Sequence, residues 1–128
     1  IMKNTKAIRT LKHGFSLVEM LVVIAVIGVI AAIAVPNIGN LTSAASTAKD
    51  QRNAQSIASV FAAGAAAGVA WDTTNVGKAV DDVIAGKAVV GGAFNGKVFR
   101  VPNITGTDLT GAKTHLSLSA DNQLVYTP

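Results

Sequence analysis

With 128 residues the chain can hold one domain and little more, and with no cysteine it has no disulfide, thiolate metal site or cysteine nucleophile. Half of its residues are hydrophobic and only 5% are aromatic, a balance that suits a membrane-associated or Ala-rich helical protein better than an average enzyme. The formal charge of +4 belongs to the N-terminus: four of the eleven basic residues (Lys3, Lys6, Arg9 and Lys12) precede Gly14, and the other seven are matched by all seven acids, so no basic stripe is left in the body for a nucleic acid.

Residues 1–14 are basic and polar and read as a leader that stays cytoplasmic by the positive-inside rule. From Phe15 to Ile38 only Ser16, Glu19, Gly28, Pro36 and Asn37 interrupt an apolar run, and between Met20 and Val35 no residue is polar. As a helix this segment is about 36 Å long, enough for a hydrocarbon core of roughly 30 Å. A buried core helix is rarely apolar on every face over such a length, so residues 15–38 read as a membrane span.

Residues 39–70 keep a helical period. Leu41, Ala44, Ala48, Ile57, Ala58, Phe61 and Ala65 make a narrow stripe, and Thr42, Ser46, Lys49, Asp50, Arg52, Asn53, Gln55, Ser56 and Ser59 lie opposite. Gly64 and Gly68 weaken the end of this helix by about 1 kcal/mol each, so it should stop near Val69. Residues 71–128 form a small head. Trp71–Asn75 reads as a loop capping a short helix over Val76–Ala85, with Gly86 at the left-handed position after it. Gly91-Gly92 and Asn95-Gly96 are turn signals. Lys97–Val101 reads as a strand stopped by Pro102, and 115–119 with 123–127 as an antiparallel hairpin. A head this small lacks a full core, so the hairpin should pack on the stripe of the long helix. The fold class is α+β: one long N-terminal helix packed on a short helix and a small antiparallel sheet of about three strands.

Gly14-Phe15-Ser16-Leu17-Val18-Glu19, followed by the apolar run, resembles the prepilin processing site of type IV pilins and type II secretion pseudopilins. The resemblance implies that a membrane prepilin peptidase cuts between Gly14 and Phe15 and methylates the new N-terminus. Glu19 then stands at the fifth mature position, and Gly28 and Pro36 at the fourteenth and twenty-second, where the family has its helix-breaking residues. A carboxylate in a membrane segment is costly and is usually paired or functional. Glu19 could meet the ammonium of Phe15 on a neighbouring subunit; the alternative is that it sits at headgroup depth. Around Gly28 and Pro36 the resemblance implies a stretch that melts in the packed filament, and a simple kink is the other reading.

Other signals are weaker. Ala32-Ile33-Ala34 has the form of a signal-peptidase site that would release a soluble protein at Val35, but Glu19 would interrupt its apolar region and it lacks a polar segment before the cut. Gly91–Val98 nearly matches a P-loop, yet it lacks the final Ser/Thr and precedes a strand. His115 has no ligand partner at metal-binding spacing. Asp108, Asp121 and Asn122 fit no calcium loop, and Asp81-Asp82 reads as a solvated helix face. Asn40 and Asn103 head sequons that a bacterial chain usually ignores. No catalytic constellation, cofactor motif or metal site emerges.

The function expected is therefore structural: a non-enzyme subunit that polymerises with itself through its N-terminal helix. The resemblance implies as partners the prepilin peptidase, an assembly platform protein and an ATPase. The precursor would sit in the bacterial inner membrane and the product in an extracellular pilus or a periplasmic pseudopilus. The lack of a disulfide loop is unlike many pilins, and the lack of an acidic calcium-binding C-terminal pattern is unlike the major pseudopilin; the balance leans to the pilus.

Overall fold

The computed structural model describes residues 14–128, so the leader reading falls outside it except at Gly14. One helix, α1 (Leu17–Ala67), opens the fold. It is followed by α2 (Val76–Ala85), β1 (Lys87–Ala88), β2 (Val98–Phe99), α3 (Gly106–Thr114), β3 (Leu116–Leu118) and β4 (Leu124–Tyr126). The class is α+β, as expected. The chain divides into two compact units, one ending at Asn40 and the other spanning Leu41–Pro128.

In the first unit the helix continues through Gly28, Pro36 and Gly39. Pro36 has no N–H to give to the carbonyl four residues back, and beside this gap the Asn37 side chain donates to the Ile33 carbonyl at 3.1 Å. The apolar side chains face outward: Leu17 is 77% exposed and Val35 67%.

The second unit has its own core. The α1 residues Ala54, Ile57, Phe61 and Gly64 are buried at a spacing of three and four, as one helical face requires. Ala54, Ile57 and Phe61 meet Ala79, Val80 and Val83 of α2, Ala112 of α3, Leu116 of β3, Leu124 of β4, and Ile104. Phe61, Ile57, Val80 and Val83 are the largest fully buried side chains, each contributing about 1.5–3 kcal/mol. The expected stripe is thus buried only in part. Ala58 and Ala65 are half-buried, while Leu41, Ala44 and Ala48 are exposed.

Local capping accounts for the ends of the helices. Gly68 adopts φ +98° after α1. Its N–H donates to the Ala65 carbonyl at 3.1 Å and the Val69 N–H to the Gly64 carbonyl at 2.8 Å. This is the paired hydrogen bonding of a Schellman motif, which satisfies carbonyls that the helix end would leave open. Asn75 caps α2 by accepting from the Lys78 N–H at 2.9 Å. Gly86 takes the positive φ expected of it, though its ψ of 133° places it outside the left-handed helical basin.

The strands depart from expectation in detail. Two separate two-stranded antiparallel ladders replace one sheet of three. The terminal hairpin forms as read, with Leu116 opposite Tyr126 and Leu118 opposite Leu124. The strand expected over 97–101 shrinks to β2 and pairs instead with the unforeseen β1, Lys87 opposite Phe99. It ends early because the Val101 N–H donates to the Val83 carbonyl at 3.0 Å, and Pro102 has no N–H to offer a ladder. The helix α3 was also unforeseen. Its segment GTDLTGAKT has two glycines and little apolar periodicity. Asp108 in its first turn and Lys113 in its last both suit the helix dipole. Each also ties α3 to another helix, through Lys49–Asp108 at 2.6 Å and Lys113–Asp81 at 2.8 Å.

Candidate functional site

The chemistry-bearing residues of the N-terminal motif surround the start of α1. Gly14, Phe15 and Ser16 precede the helix, and Phe15 is 83% exposed. Ser16 is the capping residue. Its carbonyl accepts from the Met20 N–H at 3.2 Å, the first bond of the helix. Its hydroxyl accepts from the Glu19 N–H at 3.2 Å, and its own N–H donates to Glu19 Oε2 at 2.7 Å. This is a reciprocal capping box, two otherwise open backbone donors satisfied by the two side chains, with the carboxylate in the first turn, where the helix dipole favours it.

The bond between Gly14 and Phe15 thus lies outside the helix. Within the uncut chain the Glu19 carboxylate is held by the Ser16 N–H. The sequence reading overlooked Ser16, although the S-x-x-E spacing of Ser16 and Glu19 is the signature of this cap. Gly28 and Pro36 are both exposed. A Cβ at Gly28 would have nothing within 4 Å, so packing inside the chain gives no reason for a glycine there.

The helix behind the cap is the dominant surface. Its most apolar eighteen-residue window has a mean hydropathy of 2.9 and none of it is buried. By length and composition it can cross a membrane. Leaving so large an apolar surface in water is unfavourable.

The second unit offers no comparable chemistry. Among the described residues no group of three or more His, Cys, Asp or Glu could hold a metal ion. The glycine-rich segment Gly91–Gly96 forms the turn between β1 and β2. His115 is half-buried and lies tilted against Tyr126, ring centroids 6.3 Å apart. Asp108 pairs with Lys49 and Asp81 with Lys113. Asp82 has a structural part: its carboxylate accepts from the Lys87 ammonium at 2.6 Å and from the Asp72 N–H at 2.8 Å. Burial pushes its pKa up, but the Lys87 ammonium and the Asp72 N–H outweigh burial and hold it below the ordinary carboxylate value. Asp72 is also lowered, by the hydroxyl and N–H of Thr74.

A membrane-length N-terminal helix that opens with a capping box and is followed by a small α+β head is a pilin-like arrangement. Residues 9–35 match the family model of the prokaryotic N-terminal methylation motif, the signature of type IV pilin and pseudopilin leaders. The matched segment contains Gly14, Phe15, Ser16, Glu19 and Gly28 and ends just before Pro36. No curated protein and no solved structure matches the chain significantly.

Proposed function

We propose that the chain is the structural subunit of a type IV pilus-like filament, cut after Gly14, methylated on Phe15 and polymerised through its N-terminal helices. The observation that carries this reading is the apolar segment of α1 within the methylation-motif match, of which none is buried in the chain. A helix covered by lipid before assembly and by equivalent helices afterwards exchanges one apolar environment for another, so extraction from the membrane need not expose it to water. The platform protein, ATPase and prepilin peptidase of such a system supply the work and the cut.

In this reading Glu19 changes partners. In the membrane its carboxylate rests on Ser16, which spares it an unsatisfied charge. In the filament it pairs with the Phe15 ammonium of a neighbouring subunit, a group that exists only after cleavage. Gly28 and Pro36 bound the stretch of helix that loosens as subunits pack. The chain acts as a scaffold and takes no cofactor.

A deletion strain tests the reading. Loss of long surface filaments, restored by the intact gene, is the outcome expected. Loss of protein secretion with surface filaments unchanged would make the chain a pseudopilin.

A further inference from the structure

Apart from Leu41, the large hydrophobic side chains exposed in the second unit all lie on the two ladders: Val90 at 91%, Phe94 at 52% and Val98 at 58% on the β1–β2 hairpin, and Val125 at 41% on β4. Charge divides them. Among the described residues Lys97 and Arg100, both exposed on the first hairpin, make no ion pair. Asp121, in the β3–β4 turn, is the one exposed acid of the second unit that makes none. One hairpin is therefore apolar and basic and the other apolar and acidic.

Both are held in shape. In the first, the Val89 N–H donates to the Lys97 carbonyl and the Gly96 N–H to the Val89 carbonyl, each at 2.9 Å, while buried Val89 anchors the loop. The Gly91 N–H donates to Asn95 Oδ1 at 2.9 Å. In the second, the Ser119 N–H donates to the Gln123 carbonyl at 2.8 Å and the Asn122 N–H to the Ser119 carbonyl at 3.0 Å. Surfaces fixed in advance lose little freedom on docking.

We propose that the β1–β2 hairpin of one copy docks on the β3–β4 hairpin of the next, with Val90, Phe94 and Val98 against Val125, and Arg100, which shares the Val98 face beside Gly86, facing Asp121. This deepens the filament reading and rests on it. The two surfaces differ, so the contact is heterologous: each copy keeps one of each surface free, and the contact propagates along a polymer where a self-complementary one would stop at a dimer.

Charge exchange in the full chain, expressed with its assembly machinery, tests the contact. Asp121→Lys sets like charges together and should lower filament yield about tenfold. Adding Arg100→Asp should restore it. Because the chain has no cysteine, Phe94→Cys combined with Val125→Cys should give a ladder of dimers, trimers and longer species with a short bismaleimide, which neither single variant gives. Normal filaments from Asp121→Lys with no ladder from the paired cysteines would overturn the docking and leave the filament reading standing. Absence of any filament from the unaltered chain would overturn both.

Discussion

The indole N–H of Trp71 donates to the backbone carbonyl of Phe61 at 2.9 Å, and the two rings stack with centroids 5.5 Å apart. This contact fastens the loop after α1 to the last turns of that helix. It is possible because Gly64 lies beneath the indole.

Gly64→Ala should therefore destabilise the head despite improving the helix. The added Cβ would collide with the indole ring, reaching 3.0 Å from Cε2 and closer still to Cζ2. Overpacking of this kind costs about 1–3 kcal/mol, against about 1 kcal/mol gained from replacing a helical glycine. Thermal unfolding in detergent should show a lower Tm. In a Trp71→Ala background the same substitution should become neutral or stabilising, since the collision is gone.

The head should lose stability in acid. Asp72 and Asp82 both have folded pKa values below their unfolded ones. The stability they contribute is complete above the unfolded carboxylate value, about 3.9, and disappears as pH falls through the lower folded values. Unfolding followed between neutral pH and pH values below that point should show the decline. Asp72→Asn with Asp82→Asn should lower stability at neutral pH and flatten the acid dependence.

Much of this arrangement was legible in local pattern. The membrane-length helix needed only the unbroken apolar run, α2 its Asn75 cap and closing glycine, and the β3–β4 hairpin its alternation about Ala120–Asn122. The features that were missed depend on distant partners. The α3 segment has no periodicity of its own and is held by Lys49 and Asp81 from other helices. The two residues of β1 are too few to read. Gly64 looked like a weak point in the helix because nothing local indicates that Trp71 will lie over it. At the N-terminal site the processing motif was plain, whereas Ser16 was passed over as one polar interruption in the apolar run.

Ser16→Ala should fray the first turn of α1. Loss of an N-cap costs about 0.5–2 kcal/mol, and Ser16→Thr should retain most of the cap. Hydrogen exchange at the amides of Val18 and Glu19, measured in micelles, should be faster in the alanine variant and close to the original in the threonine variant.

Glu19→Ala should leave membrane insertion intact, since it removes a charge from an apolar helix, and should abolish or strongly reduce filaments. Fractionation and electron microscopy of the same cells separate the two effects. Normal filaments from this variant would remove the proposed pairing with Phe15.

The N-terminal residue of the mature protein, read by terminal-peptide mass spectrometry, bears most directly on the whole account. A chain starting at Phe15 with a methyl group on its amine is the predicted result: it keeps the apolar helix and creates the ammonium proposed to pair with Glu19. A chain starting at Val35 would contradict it, because the membrane helix would have been discarded and the head released as an ordinary secreted protein.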